Sequence, residues 1–270
     1  MLRNAAQQPV VKPARGITRP GLLWPLIVIL IRFPLIMLGN LIVYGYNLTF
    51  TADPTPWNTA LLWGNVHTPI IADSVTLLLV IWLMRREGGR LSDLINLQQK
   101  AWGREILIGI GLSLILLITL YAGNLIGGLI AFGPAIFEFD PNAFADVTRA
   151  DLPPLWYYLW GLIVLPISVS IAEEVAYRGY AQPRLSAALG NRWLALIVVA
   201  LGFGVQHIAF SATDWQSALA RFIGTFIAGL VLGFIYLRQQ RLLPLIIGHW
   251  LVNVIGLGLM PLLFYVNLPA

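Results

Sequence analysis

Apolar residues in this chain fall in long runs that do not alternate with polar ones. Seven runs stand out, at about 21–46, 68–84, 105–132, 154–177, 193–211, 217–237 and 242–266. At 1.5 Å per residue, each approaches or exceeds the length that crosses roughly 30 Å of hydrocarbon. The strands of a membrane barrel would alternate over about ten residues, so the runs predict helices. The expected fold class is all-α: a polytopic transmembrane helix bundle of about seven spans. The expected organisation is a flexible basic tail over 1–20, N-terminal transmembrane helices over 21–150, and a helical core over 151–270. No internal repeat and no soluble domain are visible. Two GxxxG pairs, Gly123/Gly127 and Gly229/Gly233, predict close helix approaches.

Composition narrows the class. The 270 residues are 58% hydrophobic and 11% charged, against about 45–50% and 25% in an average soluble domain. Too little charge is present to cover a soluble globule or to keep a chain disordered. Cysteine is absent, which excludes disulfides, thiolate metal sites, iron–sulfur clusters and a cysteine nucleophile. The net charge of +5 reads as topology, with no nucleic-acid partner expected, because the cations sit beside the apolar runs. Arg3, Lys12, Arg15 and Arg19 lie in the tail. Arg85, Arg86, Arg90, Lys100 and Arg104 follow the second run, Arg178, Arg184 and Arg192 the fourth, and Arg238 and Arg241 the sixth. The intervening segments hold almost none. This alternation predicts a cytoplasmic N-terminus and an external C-terminus, in a multi-pass protein expected in the plasma membrane of a prokaryote. The segment 88–104 has a weak amphipathic pattern at Leu91, Leu94, Leu97 and Trp102 and is expected along the membrane surface.

Ionisable residues within apolar spans are costly, and each is a functional candidate. Glu173, Glu174 and Arg178 end the fourth run. Glu174 and Arg178 are four apart and share a helix face, so they can pair. Glu173 is rotated by about 100° and lacks that partner. It is the candidate general base, with a structural ion-pair cluster as the alternative. His207 lies within Phe203-Gly-Val-Gln-His, where it serves either as an acid/base or as a packing residue. His249 and Asn253 are four apart in the last run and can donate hydrogen bonds to one oxygen, as an oxyanion requires; an interhelical clamp is the alternative. Arg32 and Arg221 read as snorkelling or helix-pairing residues, Asp73 as partly solvated near the outer end of its span, and His67 as a surface residue of an outer loop. Straight helices place Glu173 near the inner face and His207 nearer the outer one. They meet only if a helix tilts or the fourth span runs past Arg178, with Pro166 a possible kink.

EEVAYRG, FGVQH and HWLVN together resemble EExxxR, FxxxH and HxxxN, the ordered motifs of the CAAX prenyl protease type II and bacteriocin-processing family (CPBP or Abi) of intramembrane proteases. The resemblance covers roughly residues 150–260. It implies a glutamate peptidase that needs neither metal nor cofactor, acting on membrane-associated peptides or proteins within the lipid bilayer. It implies that Glu173 and His207 activate a water, that His249 and Asn253 hold the oxyanion, and that Glu174 with Arg178 support the site. Two other readings stand beside it. One is a zinc protease using one Glu and two His, although HExxH is absent. The other is a non-catalytic membrane protein, either an immunity or scaffold member of the same family or a transporter.

Overall fold

A computed structural model describes residues 21–50, 57–95, 102–138, 148–149 and 152–269. The basic tail, Leu97 and Lys100 lie outside these. Every regular element among the described residues is helical. In order they are α1 (Leu23–Leu30), α2 (Arg32–Phe50), α3 (Trp57–Arg86), α4 (Leu91–Ile95), α5 (Trp102–Phe132), a 3₁₀ turn (Gly133–Phe137), and α6 (Leu155–Glu173). A π-helical segment (Glu174–Ala181) follows, then α7 (Gln182–Leu189), α8 (Arg192–Ile208), α9 (Trp215–Gln239), α10 (Leu243–Asn253), a second π segment (Val254–Leu259) and α11 (Met260–Asn267).

Local chemistry explains where helices stop. Gly190, at φ +65°, takes the left-handed conformation that ends α7. Next to it, the Asn191 side chain accepts hydrogen bonds from the Trp193 and Leu194 N–H groups, at 2.9 and 3.1 Å, and starts α8. Asp214 starts α9 by accepting from the Ser217 N–H at 2.7 Å. That N–H and the Ser217 hydroxyl hold the Asp214 carboxyl below its ordinary range.

Six helical stretches among the described residues are long and apolar enough to cross a membrane: Leu23–Phe50, Gly64–Arg86, Trp102–Phe137, Leu155–Leu189, Trp215–Gln239 and Leu243–Asn267. The chain is a multi-pass membrane protein. The expected seventh span, 193–211, differs. Its helix, α8, ends at Ile208 after 17 residues, about 26 Å, because the chain turns there into the Asp214 cap. Two further expectations are corrected. His67 lies within α3, half-buried, with its ring 5.8 Å from Trp156 and 6.5 Å from Trp160. Leu91, Leu94 and Ile95 of α4 pack against the bundle core, so this part of the amphipathic segment covers protein.

The core joins both halves of the chain. Val28, Ile29, Val80, Leu83, Leu112 and Leu116 pack in one cluster with Tyr177, Tyr180, Phe203, Leu232 and Leu245. Both GxxxG pairs sit at helix crossings. A Cβ on Gly123 would lie 2.9 Å from the Gly224 carbonyl oxygen, and one on Gly127 would overlap that of Ala220, so α5 meets α9 backbone to backbone. At Gly229 α9 also approaches α8, less tightly, with a Cβ there 3.2 Å from the Ala200 Cα. Large apolar side chains such as Leu107, Leu114, Ile118 and Ile130 of α5 point outward, which suits contact with lipid tails.

Candidate active site

The helical stretch Leu155–Leu189 turns near its centre from an α-helix into a π-helix, and the change falls between Glu173 and Glu174. π turns inside α-helices occur frequently at functional sites. A second π segment begins directly after Asn253. The helix continues to Leu189, past Arg178, which removes the expected mismatch in depth. Glu173 lies 16 residues before Leu189, and His207 lies 15 residues after Arg192. Both are therefore about 22–24 Å from the turn that joins the two helices.

Glu173, His207, His249 and Asn253 line one cavity, with about 180 Å³ of water-accessible space. Leu116, Leu165, Val169, Phe203, Leu232 and Leu257 form much of its apolar wall, and Arg221 and Asn65 also reach it. Arg221, expected to snorkel or pair a helix, lines the cavity, and its side chain makes no hydrogen bond or ion pair among the described residues.

The two adjacent carboxylates are both fully buried and have different partners. Arg178 Nη1 donates to Glu174 Oε1 at 3.2 Å, the expected i,i+4 pair. His249 Nδ1 lies 2.9 Å from the same oxygen. A carboxylate there accepts, so Nδ1 carries the proton and His249 Nε2 faces Glu173 Oε2 at 3.7 Å. Glu173 Oε1 accepts from Gln206 Nε2 at 2.9 Å and from Arg32 Nη2 at 3.0 Å. Among the described residues, Glu173 Oε2 has no hydrogen-bond partner. Glu173 is thus anchored through one oxygen and uncommitted at the other.

Arg32 is the main departure from expectation. It was read as a snorkelling or helix-pairing residue, yet it is completely buried, and so is Asp73, which was expected to be partly solvated. Arg32 Nη1 pairs with Asp73 Oδ1, Nε donates to Gln206 Oε1 at 2.5 Å, and Nη2 reaches Glu173. Asp73 Oδ2 accepts from the Ser168 hydroxyl at 2.6 Å. A cation in an apolar interior must be neutralised there, and α2 and α3 supply this arrangement from outside the motifs.

The histidines are oriented by neighbours. His207 Nδ1 lies 2.7 Å from the Phe203 carbonyl oxygen. A carbonyl only accepts, so Nδ1 is protonated and Nε2 of the neutral ring is left as an acceptor. The Phe203 ring packs 4.7 Å from His207, 6.3 Å from His249 and 4.4 Å from the Arg178 guanidinium carbon. Asn253 Nδ2 donates to the Ser170 hydroxyl at 3.2 Å. One of its two amide hydrogens is therefore spent on α6 and one is left over.

Residues 154–255 match the family model described as Type II CAAX prenyl endopeptidase Rce1-like. This segment is similar to that family. It contains α6 to α10 with both motif carboxylates, both cavity histidines and Asn253, whereas Arg32 and Asp73 precede it. No curated protein and no solved structure matches the chain. Among the described residues, no group of three His, Asp or Glu side chains is arranged to hold a metal ion.

Proposed function

We propose that the protein is an intramembrane endopeptidase that hydrolyses peptide bonds of membrane-associated substrates with a water activated by Glu173 and His207. One observation carries the reading. Glu173, His207, His249 and Asn253 come from α6, α8 and α10 to line a single cavity, and Glu173 keeps one carboxylate oxygen without a hydrogen-bond partner among the described residues. The family match, to proteins described as prenyl endopeptidases, supports the same chemistry.

In this mechanism Glu173 Oε2, together with His207 Nε2, accepts a proton from water as its oxygen attacks the scissile carbonyl carbon. The carbonyl π electrons move to oxygen, and the tetrahedral oxyanion is held by the remaining Asn253 N–H and by His249 once Nε2 has also taken up a proton, since its Nδ1–H is spent on Glu174. As the carbon–nitrogen bond breaks, the proton passes to the departing amine. Glu174 and Arg178 fix His249 and the π segment. General-base catalysis contributes about 10²–10⁴-fold.

The test uses purified protein in detergent and a fluorogenic prenyl-cysteine peptide of the CAAX type. Cleavage is expected from the wild type, persists in a chelator, and falls at least a hundredfold in Glu173→Gln. Activity lost on chelation and restored by zinc would replace the mechanism with a metal one. Absence of cleavage by a folded wild type across prenylated and unprenylated peptides would favour the non-catalytic reading.

A further inference from the structure

The geometry points to Arg32 and Asp73 as positioning residues for Glu173: Arg32 fixes Oε1 and is its counter-charge, and Asp73 shares that counter-charge. The inference rests on the proposed role of Glu173 and extends the site to two helices that the family match does not cover.

The Arg32 guanidinium spends all three nitrogens inside the bundle, on Asp73, Glu173 and Gln206. Gln206 is itself a clamp. Its carbonyl oxygen accepts from Arg32 while its amide donates to Glu173 Oε1 at 2.9 Å. The Tyr177 hydroxyl lies 3.0 Å from that same Gln206 oxygen and 2.9 Å from the Ile29 carbonyl. Glu173 Oε1 is therefore held by two donors that are themselves held, so Oε2 is the one oxygen left for chemistry. A planar fork with donors at fixed angles does this, whereas a lysine ammonium supplies a point charge.

One guanidinium faces two carboxylates, Asp73 and Glu173, both fully buried. The other charged or titratable groups around Glu173 are Glu174, Tyr177 and Arg178 on its own helix, His249 on α10, and His207 and Arg221 across the cavity. Arg178 is committed to Glu174, so Arg32 is the cation that contacts Glu173. Removing Arg32 leaves Glu173 beside Asp73 without a counter-charge. Removing the charge of Asp73 leaves Arg32 to Glu173 alone. The two changes act on the protonation of Glu173 in opposite directions, which a purely structural ion pair does not require.

The experiment reads the protonation of Glu173 without needing turnover. Dicyclohexylcarbodiimide modifies protonated carboxyls in apolar surroundings, and the pH at half-maximal labelling of Glu173 can be followed by mass spectrometry. An opposite charge in contact shifts such a midpoint by about 1–3 pH units. Arg32→Gln is expected to raise the midpoint by that amount and Asp73→Asn to lower it. Arg32→Lys keeps the charge and is expected to leave the midpoint within about half a unit, half of the smallest shift expected for Arg32→Gln. In parallel, kcat on the prenyl-cysteine peptide is expected to fall at least tenfold in Arg32→Lys, because the fork is lost. The acid limb of its pH–rate profile should not move. Equal labelling midpoints in wild type, Asp73→Asn and Arg32→Lys overturn the inference even if Arg32→Gln does not fold. A wild type without peptidase activity whose midpoints still move in opposite directions overturns the proposed function and leaves the Arg32–Asp73 control of Glu173 standing.

Discussion

Arg178 can neutralise only one of the two carboxylates that precede it, and its 3.2 Å contact with Glu174 Oε1 decides which. His249 shares that oxygen at 2.9 Å, so Glu174 carries two partners and Glu173 draws on a separate cation, Arg32. Substitutions at the two positions should therefore fail differently. Glu174→Gln strands Arg178 in a fully buried place, and breaking a buried pair costs about 3–5 kcal/mol; a large fall in melting temperature is expected. Glu173→Gln leaves Arg32 paired with Asp73, so the melting temperature should stay near that of the wild type while cleavage is lost. Asn253→Ala should lower turnover about 10²–10³-fold, as loss of an oxyanion donor does. Melting curves and cleavage rates of the three variants in one detergent check this, and equal destabilisation by both glutamate changes would contradict the division of roles. The candidate positions Glu173, Glu174, Arg178, His207, His249 and Asn253 are legible in the sequence because costly residues recur at helical spacing in apolar runs. Arg32 and Asp73 are visible there as the same kind of anomaly. Their meeting is not legible, because a contact between residues 41 and 141 positions apart depends on which helices are neighbours. Gln206, neutral and adjacent to a histidine, carries no signal of its own.

Glycine pairs show how far element packing can be read from sequence. The spacing of Gly123 and Gly127 implies a close crossing without naming the partner, which is the Ala220–Gly224 stretch of α9. Gly127→Val would push a branched side chain into the Ala220 backbone, and overpacking of this kind costs about 1–3 kcal/mol. Gly111→Ala on the same helix, where nothing lies within 4 Å, should be neutral or slightly stabilising, since alanine favours helix by about 1 kcal/mol over glycine. Thermal melts of both variants test the crossing; equal effects would mean that α5 and α9 are not in backbone contact. The π segments had no counterpart in the apolar pattern, because an extra residue per turn shifts the register of a run that is apolar on every side without changing its composition. α8 was overestimated for a related reason: the apolar residues after Ile208 continue through a turn that only the Asp214 cap marks. The joined helix Leu155–Leu189 also shows that a charged cluster need not end a span. Arg178 and both glutamates are carried through the bundle because their charges are matched inside it.

Across the whole molecule, contacts between distant chain segments sort the helix ends onto two faces. On one face Glu87, after α3, pairs with Arg184 of α7, and Glu105, at the start of α5, pairs with Arg241 between α9 and α10. Trp24 of α1 meets Trp82 there at 5.3 Å, and Arg86 lies over the Trp82 ring at 4.7 Å. On the other face the Trp57 indole donates to the Ala212 carbonyl, Asn65 to that of Phe210, and Arg149 to those of Val266 and Leu268. α8 runs between the two sets although it is short, with Arg192 near the first and Phe210 in the second. All the cation-rich segments among the described residues fall on the first face, and Arg149 is the cation of the second. An excess of Lys and Arg marks the cytoplasmic side of a multi-pass protein, so the first face is expected in the cytoplasm and the second outside. Paired reporters test this: an alkaline phosphatase fused after Glu87 should be inactive and one fused after residue 270 active, with the opposite pattern for green fluorescent protein. Both fusions reporting the same side would require an even number of crossings between them, and α8, at 17 residues, is the helix that would then have to stay on one side. The position of His207 makes that outcome informative for the site as well. A helix that enters from the first face and turns back could hold His207 at the level of Glu173, but could not also place Phe210 and Ala212 against Asn65 and Trp57.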